Sequence, residues 1–256
     1  LNKLEFEQTF KKVTEEIAEI RGVRPYTTIN SPNRFKEFHD YPSLFDFIDT
    51  IRDNAEKPVG IKIVIGSQQD AEELAKFMRD SGRGPDFISL DGGEGGSGAT
   101  YQDLADRLGL PLYSALPILD DALRKYGVRD RVKIIASGKL TTPDAVAVAM
   151  ALGADLAQSA RAFMISVGCI MAHRCHTNDC PAGVATTDKR LQKGLVVDEK
   201  KYRVTNYVLT MREGLFRIAA AAGVDSPTKL TREHLVFKDG RGQVTQMHVA
   251  EKEDVS

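Results

Sequence analysis

The sequence predicts an α/β fold built on a parallel sheet. Two features carry that expectation: short β-branched runs alternate with helix-patterned stretches as repeated βα units, and glycines cluster after several of those runs. Taken in order, YTTINS (26–31) reads as an early strand and YPSLFDFIDTIRDNA (41–55) as the helix after it. IKIVIG (61–66) suits a strand buried on both faces, and SQQDAEELAKFMRDSG (67–82) a helix ending near Gly82. DFISL (86–90) is the next strand and opens into the loop DGGEGGSGAT (91–100). LPLYSAL (110–116) is expected to be a further strand, followed by the helix DDALRKYG (120–127).

VKIIASG (132–138) is a strand and TTPDAVAVAMALG (141–153) its helix, with Thr142 as N-cap and Pro143 in the first helical position. ADLAQSARAFM (154–164) is the last strand, running into a cysteine segment. Residues 200–224 read as an amphipathic helix, and 237–256 as a flexible tail. Right-handed crossovers leave two outcomes for such units, an open doubly wound sheet or a (β/α)8 barrel. Glycines after several different strands favour the barrel, which builds its site from many strand ends. The strands number about six, short of the eight a closed barrel needs.

Bulk composition is that of an intracellular enzyme. The chain has 256 residues, 42% hydrophobic and 28% charged, with a formal net charge of -1. That balance lacks the electrostatic footprint of a nucleic-acid or anionic-membrane binder. No apolar run approaches the roughly 20 residues of a membrane span. LNKLEFEQTFKK has no apolar signal-peptide core, so the cytoplasm is the expected compartment.

The three cysteines, Cys169, Cys175 and Cys180, lie in GCIMAHRCHTNDCPAGVATTD with C-x5-C-x4-C spacing. Thiols without a disulfide framework suit a reducing compartment, and three thiolates on one loop can converge on a soft metal centre. A site of three cysteines suits a 3Fe–4S cluster. The alternatives are zinc completed by His173 or His176, or three unremarkable thiols.

Gly92, Gly93, Gly95, Gly96 and Gly98 crowd one loop directly after a strand. Glycine admits close backbone approach, and successive N–H groups in such loops make anion-binding concavities. Asp91 and Glu94 are expected as supporting groups or charge partners of Lys62, whose ammonium must end at a strand tip or beside a partner. No nicotinamide fingerprint is present, because the glycine spacing in DGGEGGSG does not match G-x-G-x-x-G.

GIKIV around Lys62, LDGGEGGSGAT at 90–100, ASGKLTTPDAV at 136–146 and the cysteine run at 168–188 come in an order and spacing that resemble the FMN-binding domain of glutamate synthase and its smaller glutamate synthase-like FMN relatives. The resemblance covers most of residues 12–236. It implies a single domain over 1–256: a TIM-type (β/α)8 barrel of the FMN-linked type that lacks its first strands in this chain, with an atypical start over 1–20 and an iron–sulfur segment over 165–190.

It implies FMN, with Lys62 near the pyrimidine side of the flavin as the catalytic cation and Arg21 on the substrate carboxylate. The FMN contacts would be Lys62, Gly92, Gly93, Gly95, Gly96, Ser137, Gly138, Lys139, Ser159, Ala160 and Arg161, and Cys169, Cys175 and Cys180 would hold the 3Fe–4S cluster. The implied reaction is reduction of 2-iminoglutarate, from 2-oxoglutarate and ammonia, or of a related oxo or amino acid, to L-glutamate. Electrons would come from a ferredoxin or a separate flavoprotein subunit.

Two departures shape the expectation. LNKLEFEQTF replaces a glycine-rich basic stretch of the family, and the early barrel strands have no counterpart. The chain is therefore expected to be a fragment, or to receive its missing strands from another chain. The second expectation is a non-catalytic module of a flavin barrel that assembles with a partner, its cysteines empty or holding zinc.

Overall fold

The computed structural model of the chain describes residues 7–8, 11–30, 34–95, 108–238 and 240–246. In chain order the elements are β1 (Glu7–Gln8), α1 (Glu15–Arg21), β2 (Ile29–Asn30), α2 (Tyr41–Ala55), β3 (Gly60–Val64), α3 (Gln68–Ser81) and β4 (Phe87–Asp91). Then follow α4 (Leu112–Lys125), β5 (Lys133–Ser137), α5 (Pro143–Ala151), β6 (Leu156–Gln158), α6 (Arg161–Ser166) and α7 (Lys189–Gln192). The last are α8 (Val197–Ala221), β7 (Val236–Lys238) and β8 (Val244–Gln246). Two compact units result: residues 1–35, 95–107 and 160–210 in one, and 36–94, 108–159 and 211–256 in the other. Helix α8 runs from the first into the second.

The sheet of the second unit is a parallel ribbon of four strands among the described residues, in the order β3-β4-β5-β6. Each strand adds beside its predecessor, with none of the order reversal that marks a doubly wound sheet. Alternation along the strands sends Ile61, Ile63, Ile88, Leu90, Ile134 and Ala136 to one face. There they pack with Phe45 and Ile48 of α2, Leu74 and Met78 of α3, Leu116 and Leu119 of α4 and Val146 of α5. The other face carries Lys62, Val64, Ser89, Asp91, Ile135, Ser137, Leu156 and Gln158, and on it Val64 is 54% and Leu156 56% exposed. Gly60 is required opposite Phe87, because a Cβ at Gly60 would enter the Phe87 ring.

Local capping chemistry sets the helices that the sequence reads well. Asp40 and Ser43 form a capping box at α2, and Ser67 and Asp70 another at α3. Gly82, at φ 66°, closes α3 in the left-handed conformation. Helix α5 starts with Thr142 in the N-cap position and proline beside it, as expected, although the Thr142 side chain donates or accepts no capping bond.

Three expectations need correction. Residues 110–116 are not a strand: Leu112 already begins α4, which continues through Pro117 to Lys125. Its buried residues Leu112, Ala115, Leu116, Leu119, Ala122 and Leu123 follow the helical period, and their burial offsets the amide bond that Pro117 cannot make. Second, the strand expected over 154–164 is only Leu156–Gln158, since Arg161–Ser166 is helical. Third, the early strand over 26–31 is the two-residue Ile29–Asn30, paired antiparallel with Glu7–Gln8 outside the parallel sheet. Within the tail, Val236–Lys238 pairs antiparallel with Val244–Gln246, while residues 247–256 lie outside the described set.

A charge network locks the second unit. The Asp120 carboxylate, 1% exposed, accepts from Arg124 Nε at 2.8 Å, Arg129 Nε at 2.6 Å and Arg232 Nη2 at 2.9 Å. Arg129 continues to Asp155 and the Gly153 carbonyl, each at 2.9 Å, and Arg232 to Asp121 at 2.7 Å. Asp155 in turn accepts from the Ile134 amide at 2.8 Å. The network thus ties α4, β5 and the segment after α8 through one carboxylate.

Candidate functional site

The carboxyl ends of the four parallel strands put polar side chains in a row. Val64, Asp91, Ser137 and Gln158 are successive register partners across the sheet, and Lys62, Ser89, Ile135 and Leu156 form the next row back. All of them lie on the face away from the helices. Lys62 forms an ion pair with Asp91 on the neighbouring strand, its side chain 60% exposed and that of Asp91 26%. The expected partner of Lys62 is thus present, and the pair places one cation and one anion at the strand ends.

Ser89 is 4% exposed, and its hydroxyl donates to Gln158 Oε1 at 2.9 Å. One residue on, Ser159 Oγ is buried without a hydrogen-bond partner among the described residues. An orphaned buried hydroxyl calls for an explanation, and a ligand oxygen is one. Parallel α/β sheets bind ligands at this end of their strands. The set of cation, hydroxyls and amide fits a cofactor with a polar ring edge such as a flavin.

Gly92 and Gly93 have a different physical basis from the one the loop's composition suggests. The Gly92 amide donates to the Ser137 carbonyl and the Gly93 amide to the Leu110 carbonyl, each at 2.8 Å. Neither N–H is left to cradle an anion. A Cβ on Gly92 would lie 2.7 Å from the Leu112 amide nitrogen and would collide with the Glu94 carboxylate. A Cβ on Gly93 would meet the Leu108 and Gly109 carbonyls at 2.7 Å. Gly138 faces the same Glu94 carboxylate and Leu112. Glu94 itself accepts from the Leu112 amide with both oxygens, at 2.9 and 3.1 Å. It therefore supplies the anion at the start of α4, whose own N-cap is Pro111 and makes no side-chain cap.

Burial, with the charges of Asp144 and Glu94 adding, raises the nearby Tyr113 phenol above its usual value. Lys139 follows Gly138 in the left-handed region at φ 49°, a conformation that a side-chain-bearing residue keeps only when its surroundings impose it.

The cysteine segment belongs to the other compact unit, with Arg21, Gly95, Ala160 and Arg161. Arg21 is exposed in the last turn of α1, Ala160 precedes α6 and Arg161 begins it. Gly96 lies outside the described residues. Cys169 Sγ accepts from the Met171 amide at 3.4 Å. Cys180 is buried; burial alone would raise its thiol, but the amides of Ala185, Ala182, Val184 and Gly183 outweigh it and hold the thiol below its ordinary value. Backbone donors of this kind are what iron-bound sulfurs take up.

Three residues of this segment, Met171, His173 and Asn178, have positive φ of 57°, 53° and 69°. Asn178 anchors it: its Oδ1 accepts from the Thr187 amide at 2.7 Å and from the Thr186 and Thr187 hydroxyls at 3.0 Å. Lys12 donates to the Cys175 carbonyl. Even so, among the described residues no group of three or more His, Cys, Asp or Glu side chains is gathered so as to hold a metal ion. The three sulfurs are not arranged round one centre.

Sequence reading missed Ser89, Gln158 and the Asp120 network. The period-2 pattern of β4 was the available signal for Ser89, since a lone serine among Ile88 and Leu90 is out of place in a buried strand.

The conserved region in glutamate synthase matches residues 8–225 of the chain. The chain is 56% identical over 233 residues to the glutamate synthase large subunit-like protein YerD of Bacillus subtilis, covering 91% of this chain and 44% of that protein. It is 31% identical over 231 residues to an archaeal-type glutamate synthase (NADPH) of Thermotoga maritima, covering 89% and 45%. To the archaeal glutamate synthase (NADPH) of Methanocaldococcus jannaschii it is 32% identical over 221 residues, covering 84% and 42%. The chain thus spans less than half the length of these relatives. A solved structure of a mutant flavocytochrome b2 with pyruvate bound aligns with a TM-score of 0.45 and 13% identity over 82% of this chain and 39% of that one, too weak a likeness to bear on the fold. No described helix is long and apolar enough to cross a membrane. With its conserved region matched from residue 8 to residue 225, the chain belongs to the glutamate synthase family.

Proposed function

We propose that the chain is part of a glutamate synthase-type oxidoreductase that binds FMN at the carboxyl ends of β3 to β6 and acts on 2-iminoglutarate or a related oxo or amino acid. The observation that carries this reading is the polar side chains on the open sheet face, with the Lys62–Asp91 pair on β3 and β4 and Ser137 and Gln158 on β5 and β6. Sequential strand order with the helices on one face supports a barrel of the (β/α)8 type around that site. FMN, when bound, supplies two-electron reduction of a C=N or C=O bond.

The chain's own groups have separable tasks in this reading. Lys62 keeps a positive charge at the strand end, and Asp91 fixes its direction. Ser137 and Ser159 offer hydroxyls, while Gly92, Gly93 and Gly138 keep the backbone low where a ring would approach. Gly95, Gly96, Lys139, Ala160 and Arg161 remain proposed FMN contacts, and Arg21 a proposed anchor for the substrate carboxylate. Cys169, Cys175 and Cys180 are proposed ligands of a 3Fe–4S cluster, supported by their spacing and by the N–H donors at two of the sulfurs. A ferredoxin or separate flavoprotein subunit is the proposed donor.

A second reading, a module that pairs with another chain and is not itself catalytic, is favoured by the exposure of Val64 and Leu156 on the open face. The two separate by colour and metal. Protein purified without oxygen is expected to show flavin absorption together with iron and sulfide; a colourless protein holding zinc would support the second reading. Lys62→Met is expected to weaken FMN binding roughly 10- to 100-fold, the value of a hydrogen bond to a charged group, read by quenching of flavin fluorescence. Failure of the unaltered chain to take up FMN would overturn the first reading.

A further inference from the structure

We infer that Gln158 is a specificity-determining ligand donor, and that Ser89 acts through it as a positioning residue. This rests on the proposed flavin site and names the group there that reads a ring carbonyl. The first observation is Ser89 itself. It is 4% exposed between the fully buried Ile88 and Leu90 of β4, where an apolar residue would be the ordinary choice. Its hydroxyl has one described partner, the Gln158 Oε1 at 2.9 Å, reached diagonally across β5.

The second observation follows from amide chemistry. A glutamine amide has one acceptor oxygen and one NH2 with two donors. With Oε1 facing Ser89, the amide plane is fixed and the NH2 becomes the end available to a ligand. No described residue accepts from it. Gln158 is exposed on the same face and in the same row as Ser137 and Asp91, and the orphaned Ser159 hydroxyl follows it in the chain.

The face then presents donors of two kinds, a cation at Lys62 on the strand beside Asp91 and a neutral NH2 at Gln158 two strands from Asp91 on the other side. A planar ring with carbonyl oxygens along one edge accepts from donors of both kinds, and the pyrimidine ring of a flavin has them. Ser89 is then explained: a buried serine in a β-branched strand weakens packing, and directing the Gln158 amide is what it provides in return. A free glutamine would sample several rotamers and would also present its oxygen, which repels a carbonyl.

The test is FMN titration of the full 256-residue chain, followed by fluorescence quenching and by the visible flavin spectrum. Gln158→Leu removes the donors and is expected to raise Kd roughly three- to tenfold, as loss of one neutral hydrogen bond does, and to shift the bound-flavin absorption bands. Ser89→Ala is expected to raise Kd by a smaller factor and to shift the bands in the same sense. Ser89→Thr, which keeps the hydroxyl, is expected to restore both.

Thermal unfolding of each variant separates a folding defect from a ligand effect, because the band positions of whatever flavin binds report on contacts and not on yield. If the unaltered chain binds FMN and Gln158→Leu leaves both Kd and spectrum unchanged, the inference is wrong while the flavin site stands. If Ser89→Ala changes Kd but Ser89→Thr does not restore it, Ser89 is packing only and its positioning role is overturned. If the unaltered chain binds no FMN, the functional reading itself fails, and this inference with it.

Discussion

Asp120→Ala is expected to lower the unfolding free energy by about 3–5 kcal/mol, the loss typical of removing one partner from a buried ion pair. Three guanidinium groups converge on this carboxylate, and two of them, those of Arg129 and Arg232, are themselves 12% and 2% exposed. Removing the carboxylate leaves those cations without their shared anion. Asp121 and Asp155 would retain part of the load, which keeps the expected loss below that of a wholly isolated charge.

Asp120→Asn keeps the shape and one acceptor oxygen but loses the charge and turns an NH2 toward a guanidinium, so it should fall between. The measurement is the urea midpoint by circular dichroism, with an unchanged slope expected if only native-state stability moves. A loss under about 1 kcal/mol, the scale of a surface pair, would show that the network is solvated. Gly153 belongs to the same arrangement. It sits at φ 120° with its would-be Cβ 2.6 Å from Asp120 Cγ, so a side chain there would push on the carboxylate directly.

Gly92→Ala is the second large effect expected. The added methyl has nowhere to go: the Leu112 amide nitrogen and Cβ stand at 2.7 Å, and the Glu94 carboxylate occupies the remaining space. Backbone lies on one side, so the conflict cannot be relieved by a rotamer change alone. Overpacking of this kind costs about 1–3 kcal/mol, and displacing Glu94 from the start of α4 adds about 1 kcal/mol, as loss of a helix cap does.

Glu94→Ala should show the cap component alone, by urea midpoint. If the two variants lose the same amount, the methyl is accommodated and the steric account is wrong. In the proposed function Gly92→Ala would also weaken FMN binding, since the strand end it displaces carries Asp91 and, through the Gly92 amide, Ser137.

Helices α2 and α3 were legible to the residue or nearly so, because their boundaries depend on contacts within four positions: Asp40 with Ser43, Ser67 with Asp70, and a left-handed glycine at 82. The strands β3, β4 and β5 were legible for a similar reason, as β-branched runs between glycine and polar punctuation. The family, too, lay open in the order and spacing of four motifs. Where local signals conflicted, reading failed. LPLYSAL has a short apolar run, an aromatic and a proline at its end, all marks of a strand boundary, yet it is the first turns of α4. Only the packing of Leu116, Leu119 and Leu123 against the sheet tips that balance.

What the sequence by itself determined was therefore the set of βα units, the kind of side chain at each strand end, and membership of the family. Tertiary structure alone decided what those side chains do to one another. It paired Lys62 with Asp91, turned the Gly92 and Gly93 amides to the Ser137 and Leu110 carbonyls, set Ser89 against Gln158, and brought Arg232 across 112 positions to Asp120. The physical reason is range: hydrogen-bond caps and side-chain periodicity act over a few residues and leave a local trace, whereas strand register and buried charge pairing act between residues that become neighbours only when the sheet has formed.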